Sequence, residues 1–330
     1  MEKNKLLQNY KKYLVYLPLV LLALFFPFLL KNFSYGLMFL CFCEMYIIAV
    51  NGLDLVYGYS GQITFATAAF FGLGSYGSLL LRNHTGLPVI VCMLLAAVIT
   101  CIIGMILAYP VSKLRFAFLS LSTISFNHVV FQLATRSPGG ITGDYTGAFT
   151  DSLTLFGIDF GNYTYFYYFG LACVVIFVIL KFNLVRSRVG RAFLAIKQNT
   201  AAADGMGINV RKYKVYAFGI YAFYAAFAGT MYAHFVGYVS PETIAQQQSV
   251  IFMIMILLGG VTSNWGPIIG AVTVLLLKEV LGYAEQYQLL AYGIILLIFI
   301  LFLPTGLYGL GKDLIENKKH KKGSLSDVRS

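Results

Sequence analysis

The stretch "RVGRAFLAIKQNTAAADGMGINVRKYKV", from Arg188 to Val215, interrupts an otherwise apolar sequence with a basic, alanine-rich segment. The chain has 330 residues, of which 59% are hydrophobic and only 11% are charged. A soluble domain would carry about a quarter charged residues. Many apolar runs instead approach the ~20 residues that a helix needs to cross a bilayer. We therefore interpret the stretch as a polar loop between the transmembrane helices of a polytopic, all-α membrane protein.

The apolar runs predict a helical bundle of about eight to ten transmembrane spans. The predicted spans cover residues about 14–30, 35–56, 63–81, 88–109, 116–134, 163–182, 214–236, 249–262, 266–282 and 287–303. The first run lacks a small-residue cleavage pattern, so we expect a retained helix rather than a signal peptide. The resulting domain organisation is an N-terminal segment (1–13), a transmembrane domain (14–304) and a basic tail (305–330).

Most of the 24 Lys and Arg residues fall on one predicted face of the membrane. They precede the first span, separate the fourth from the fifth, flank the opening stretch and follow the last span. The group around the opening stretch comprises Lys181, Arg186, Arg188, Arg191, Lys197, Arg211, Lys212 and Lys214. The positive-inside rule predicts that this face, with both termini, is cytoplasmic. The net charge of +11 then reflects topology and contact with anionic lipid, rather than nucleic-acid binding.

The opening stretch lies within the longest predicted cytoplasmic loop, at residues about 183–214. Its alanines and spacing predict helix, with Asn199 and Thr200 capping a second short helix that Gly205 and Gly207 end. One interpretation is an amphipathic connector that lies on the membrane surface. The other is a short docking helix offered to a cytoplasmic partner. The composition does not separate these two.

Motifs for several kinds of chemistry are missing from the sequence. There is no G-x-x-x-x-G-K-[ST] phosphate loop, no H-E-x-x-H and no C-x-x-C. The five cysteines lie in apolar runs without metal-ligand spacing, which indicates buried hydrophobic residues. We expect no catalytic residue, metal or cofactor in this chain, and any ATP-driven step would need an ATPase in another chain.

Polar residues occur in predicted spans, where they are costly. Glu44, Asn51 and Asp54 share one face of the second span. They either mark a translocation pathway or are structural, with Glu44 protonated and Asp54 capping or paired. Asn127 and His128 in the fifth span could equally form interhelical hydrogen bonds or contact a substrate.

Two glycine-rich stretches punctuate the apolar sequence. They are "GYSGQITFATAAFFGLGSYGSLLL" (58–81) and "LGGVTSNWGPIIGAVTVLLL" (258–277). Such glycine density permits either close helix packing or an unwound segment that lines a cavity. Gln62 and Thr64 of the first stretch therefore join the candidate pathway, and we expect discontinuous helices. The complete candidate pathway is Glu44, Asn51, Asp54, Gln62, Thr64, Asn127 and His128.

Three motifs in one order resemble the LivM/LivH-type permeases of branched-chain amino acid ABC importers. They are the 58–81 stretch, "GRAFLAIKQNTAAADGMGIN" (190–209) and "LLGGVTSNWGPIIGA" (257–271), within a resemblance from roughly Leu37 to Pro304. The resemblance implies an all-α permease subunit in a bacterial inner membrane. It also implies a second permease, two ATPase subunits that use ATP, and an extracytoplasmic binding protein.

The same resemblance makes the opening stretch the loop that docks on the ATPase. The residues carried over to that role are Arg191, Ala201, Ala202, Ala203, Asp204, Gly205 and Gly207. Departures at Asp54, Thr64, Thr67 and the Asn127–His128 pair fall in the candidate pathway, so the cargo could instead be urea, short amides or nucleosides. Two alternatives are an ion-coupled carrier that uses Glu44 and Asp54, and a passive channel. Neither of them would need a docking helix.

Overall fold

The computed structural model describes residue 27, residues 34–113, 116–155, 158–282, 290, 293–294, 297 and 306–310. The predicted spans at 14–30 and 287–303, the N-terminal segment and the basic tail lie almost wholly outside these residues. The α-helices of the described part include α1 (Ser34–Leu53), α2 (Thr67–Thr85), α3 (Val89–Val111), α4 (Phe116–Arg136), α5 (Tyr163–Arg186), α6 (Arg188–Gln198), α7 (Thr200–Gly205), α8 (Val210–Val236), α9 (Gln246–Gly259) and α10 (Gly266–Leu281). The predicted all-α, polytopic helical fold is confirmed.

The helices differ in whether their length and hydropathy would let each cross a membrane by itself. Three are both long and apolar enough by composition: α1 with its extension to Tyr59, α3 and α5. The 14 residues of α9 and the 16 of α10 are fewer than the ~20 that a full span requires. These two helices therefore cross the bundle only together with the irregular segments that precede and separate them.

Helix α8 forms the centre of the bundle, where it contacts α1, α2 and α3. Close approach depends on glycine. A Cβ added at Gly74 of α2 would lie 2.1 Å from the carbonyl oxygen of Ala226, and one at Gly229 would lie 1.9 Å from that of Phe71. The two backbones thus touch where no side chain fits, as small residues allow in membrane helices. One predicted use of the glycine-rich stretch, close packing, is confirmed.

The chain is also broken where discontinuous helices were predicted. Residues 54–59 form a π-helical extension of α1, and residues 61–66 have no regular secondary structure before α2 begins. A second irregular segment, which includes a short 3₁₀ turn at Pro241–Ile244, precedes α9. A third, at 260–265, separates α9 from α10. The glycine-rich stretches therefore serve both packing and unwinding.

The two ends of the bundle are distinct. The end that carries α6 and α7, with the cluster of Lys and Arg around them, is called the basic end below. At the opposite end, two small antiparallel ladders pair β1 (Ala148–Phe149) with β4 (Tyr238–Val239), and β2 (Thr154–Leu155) with β3 (Ile158–Asp159). An exposed ion pair at this end joins Arg82 to Asp151 at 3.0 Å.

Gly74→Ala should destabilise the bundle. The new methyl group would overlap the Ala226 carbonyl, and overpacking of this kind typically costs ~1–3 kcal/mol. The melting temperature of the purified protein in detergent should fall. Gly282→Ala is the matched control, because its Cβ would meet no atom within 4 Å. Equal melting temperatures for the two variants would contradict the close contact of α2 with α8.

Candidate functional site

Helix α6 packs one face against the bundle at the basic end. It begins where the Ser187 side chain accepts hydrogen bonds from the backbone N–H groups of Val189 and Gly190. Its buried residues, Ala192, Phe193 and Ile196, recur at helical spacing and form an apolar stripe. Arg191 lies on the exposed face. Because the apolar stripe is buried within this protein, it is not available to rest on lipid.

Helix α7 presents small residues at the tip of the basic end. The Asn199 side chain accepts hydrogen bonds from the N–H groups of Ala201 and Ala202, which confirms the predicted cap. Ala201, Ala202, Asp204 and Gly205 are exposed. Gly207 follows with φ +80°, the left-handed backbone that was expected there and that side chains resist. The tip is therefore a capped helical turn whose exposed surface is made mainly of small residues.

Two residues change the expected docking surface. Ala203 is only 4% exposed, so this one of the predicted alanines packs inward and supports the fold. Met206 is 84% exposed directly after α7, although a large apolar side chain gains by burial. Sequence reasoning missed Met206, and its only signal was an apolar residue between two glycines. An exposed methionine beside small residues favours the docking interpretation over the connector.

A cleft of about 980 Å³ lies beside α7, between the end of α3 and the start of α8. It is lined by Ser112, Lys113, Thr200, Ala201, Asp204, Gly207, Ile208, Asn209, Val210, Arg211 and Lys214. The Arg211 guanidinium donates to the Tyr109 carbonyl at 3.1 and 3.3 Å and lies 3.5 Å from the centre of the Tyr109 ring. These contacts join α8 to α3. The charged residues that line the cleft are three basic ones and one acidic one.

A buried ion pair lies immediately inside the basic end. The Lys181 ammonium of α5 lies 2.8 Å from the Asp54 carboxylate, and both side chains are wholly buried. Lys181 also donates to the Asn51 side-chain oxygen at 3.0 Å and to the Ser263 carbonyl at 3.1 Å. Its three N–H groups are thus matched by three acceptors. The sequence pattern groups Lys181 with the basic residues around the loop, and the structure buries it within α5, which continues to Arg186.

The turn between α9 and α10 completes this cluster. Thr262 has φ +61°, a conformation that is unusual for a residue other than glycine. Its N–H donates to the second Asp54 oxygen at 2.8 Å, and its hydroxyl donates to the Gly58 carbonyl at 3.0 Å. The Lys197 ammonium of α6 donates to the same hydroxyl at 3.0 Å. We call Asn51, Asp54, Lys181, Thr262 and Ser263 the ion-pair cluster.

A second polar group, the central junction, lies where α2 and α9 begin. The Asn127 side chain of α4 donates to the Ile244 carbonyl at 2.9 Å. The Ser249 hydroxyl accepts from the Ala68 N–H at 3.0 Å and donates to Asn127 at 3.4 Å. The central junction (Ala68, Asn127, Ile244 and Ser249) is at mid-depth, because neighbouring Thr67 bonds Tyr221 near the middle of α8.

The remaining candidate pathway residues are dispersed. Gln62 and Thr64 are buried in the irregular segment, where Gln62 donates to the Ser60 hydroxyl and Thr64 accepts from the Ala66 N–H. Glu44 is 5% exposed, faces Gly170 of α5 and has no hydrogen-bond partner among the described residues. His128 is exposed, although its neighbour Asn127 is buried.

None of the candidate pathway residues lines either of two cavities found in the described chain. The cleft beside α7 excludes them, and so does an apolar cavity of about 450 Å³ between α2, α3 and α4. The structure brings Asn51 and Asp54 together in the ion-pair cluster and places Asn127 in the central junction. It does not gather Glu44 or His128 with them.

A helical membrane bundle with broken helices and an exposed helical loop at its basic end is the architecture of a membrane permease. The chain belongs to the family described as "Branched-chain amino acid transport system / permease component", whose profile matches residues 35–303. The expected family is confirmed. No solved structure gives a significant match to this chain.

Curated relatives agree with this family. The chain is 28% identical to the high-affinity branched-chain amino acid transport system permease protein LivM of Escherichia coli and 27% identical to that of Salmonella typhimurium, each over 93% of this chain and 77% of the relative. It is 26% identical to the ribose import permease protein RbsC of Haemophilus influenzae, over 78% of both chains.

Removing one charge of the ion-pair cluster should destabilise the protein strongly. Lys181→Met leaves the Asp54 carboxylate buried without its counter-charge, a change that typically costs ~3–5 kcal/mol. The double variant Asp54→Asn/Lys181→Met should recover much of the loss, because no charge remains buried. Thermal unfolding in detergent measures both effects.

The exposed pair at the opposite end supplies the control for this comparison. Arg82→Met should cost only ~0–1 kcal/mol, as exposed ion pairs do. If Lys181→Met lowers stability no more than Arg82→Met does, the burial of the Asp54–Lys181 pair is wrong.

Proposed function

We propose that this chain is a permease subunit of an ATP-driven importer, and that it forms part of the translocation path for branched-chain amino acids. The observation that carries the proposal is the exposed tip of α7 with Met206 beside it, in a chain of this permease family. A carrier or channel that worked alone would not need such a surface. The wording "branched-chain amino acid transport system" of the family and of several relatives supports the cargo.

The proposed energy source lies in two partner ATPase subunits. This chain's sequence holds no phosphate loop, so ATP binds and is hydrolysed in those partners. Their docking site is the tip of α7, with Ala201, Ala202, Asp204 and Met206 in contact and Gly205 and Gly207 shaping the turn. This chain acts as a transport subunit rather than an enzyme.

The proposed orientation places the basic end in the cytoplasm of a bacterial inner membrane. The positive-inside rule supports this orientation, and both termini then lie on the cytoplasmic side. Anionic lipid headgroups contact the basic residues there, including those of the cleft beside α7. The opposite end, with its small β-ladders, receives cargo from an extracytoplasmic binding protein.

The proposed path is completed by a second permease subunit. The candidate pathway residues line neither the cleft beside α7 nor the apolar cavity, and in this proposal the surface of a second permease encloses the cargo together with this chain. The chain is also 25% identical to the permease protein LivH of Escherichia coli, over 80% of this chain and 91% of the relative. Relatives named LivM and LivH in one organism support a heterodimer of two different permeases.

A different cargo on the same architecture is the second candidate. The relationship to the ribose import permease shows that similar chains occur in importers of a sugar. Urea, short amides and nucleosides belong with this alternative, because the residues at Asp54, Thr64 and Asn127 depart from the family's usual pattern.

Reconstitution tests the function directly. The purified chain alone should hydrolyse no ATP, whereas proteoliposomes with the two ATPases, the second permease and the loaded binding protein should accumulate leucine, isoleucine or valine. Ribose, urea and a nucleoside complete the panel. Uptake of one of these in place of the amino acids would select the alternative cargo, and uptake without ATP or ATPase subunits would overturn the proposal.

Ala202→Trp should weaken docking without harming the fold, because Ala202 is exposed. Overpacking a close contact typically costs ~1–3 kcal/mol, so copurification with the ATPase should weaken roughly tenfold or more. Val280→Trp, at an exposed site towards the opposite end, is the control and should copurify normally. A cysteine at Asp204 should crosslink to the ATPase. Normal copurification of Ala202→Trp would show that α7 is only a connector.

A further inference from the structure

The turn between α9 and α10 is held from two directions. From inside, Asp54 accepts from the Thr262 N–H at 2.8 Å, and Lys181 donates to the Ser263 carbonyl at 3.1 Å. From the basic end, Lys197 of α6 donates to the Thr262 hydroxyl at 3.0 Å. Thr262 keeps a left-handed φ of +61° under these contacts. The turn therefore has little freedom to move separately from α6.

Helix α6 is in turn joined rigidly to α5. Ser187 caps α6 directly after α5 ends, and a Cβ at Gly190 would lie 2.1 Å from the Val185 carbonyl oxygen. The aliphatic part of the Lys197 side chain also lies against Gly61. A Cβ added at Gly61 would lie 3.1 Å from the Cγ of Lys197. A displacement of the α6–α7 tip is thus passed to the α9–α10 turn through Lys197, and to the end of α1 through the ion-pair cluster.

Helix α9 connects this turn to the central junction. Its 14 residues extend about 21 Å at 1.5 Å per residue, from the turn to Ser249 and Gln246 at mid-depth. There, Ser249 bonds the start of α2 and Asn127 of α4. A contiguous path of hydrogen bonds and one rigid helix therefore runs from the docking tip to the place where both broken helices begin.

We propose that Lys197, Thr262, Asp54 and Lys181 are positioning residues for energy coupling, which transmit movement of the ATPase-docked α6–α7 tip through α9 to the central junction. This inference rests on the proposed function for its energy source. Asp54 and Lys181 hold the turn so that Lys197 can move it, and neither need contact the cargo. Gly58 leaves room for the Asp54 carboxylate in this arrangement, since a Cβ added at Gly58 would lie 2.0 Å from an Asp54 oxygen.

Lys197→Met tests the link in the purified full-length chain, without partners. Lys197 is exposed, so the variant should fold, and Lys212→Met at another exposed lysine of the basic end is the matched control. Hydrogen exchange in Lys197→Met should rise at residues 260–266 and also at the start of α9, at 246–250. A rise confined to 260–266, or no rise, would overturn the mechanical link.

The assembled importer tests coupling itself. Lys197→Met and the double variant Asp54→Asn/Lys181→Met should assemble and hydrolyse ATP, yet the cargo imported per ATP should fall about fivefold or more. A merely structural role would lower yield and melting temperature and leave this ratio unchanged, which would overturn the inference. If the wild-type complex imports nothing with ATP, the proposed function fails, and the exchange result still decides the link.

Discussion

The Asp54–Lys181 pair joins parts of the chain that no local interaction could hold together. Taking two charges out of water costs several kcal/mol each, and the cost is offset only when geometry and hydrogen bonding are good. Here the ammonium finds three acceptors and the carboxylate finds a backbone N–H besides its counter-ion. This arrangement adds a polar link between α1, α5 and the α9–α10 turn to the packing of α1 against α5. Because α5 leads directly into α6, the placement of the docking tip depends on it as well.

A related constraint explains the polar side chains at the centre of the bundle. Within a bilayer, backbone groups outside regular helices must be satisfied inside the protein. The chain leaves helical structure at 61–66 and before α9, and Asn127 and Ser249 supply the missing partners. Buried polar residues such as Asn127 and Ser249, which are energetically costly within a membrane span, thus allow α2 and α9 to begin at mid-depth. Whether any of them also contacts cargo stays a prediction.

The family and the geometry address different parts of the function. The relatives to which this chain is similar are named for branched-chain amino acids and for ribose, so membership of the family does not by itself select the cargo. The proposed docking surface of α7 and its proposed link through α9 concern energy coupling rather than the choice of cargo. Under the proposed function, cargo selection takes place where this chain meets the second permease.

The sequence by itself determined the membrane class, most helix boundaries and the cap of α7, because apolar run length, capping residues and glycines act locally. It placed Asn199 at the cap of α7 and expected breaks in both glycine-rich stretches. Only the tertiary structure decided which polar residues meet. Asn127 and His128 are neighbours in sequence, yet one is buried and the other exposed, since adjacent residues point to different sides of a helix. The partner of Asp54 was likewise undecided, because Lys181 reaches it only when α1 and α5 pack side by side.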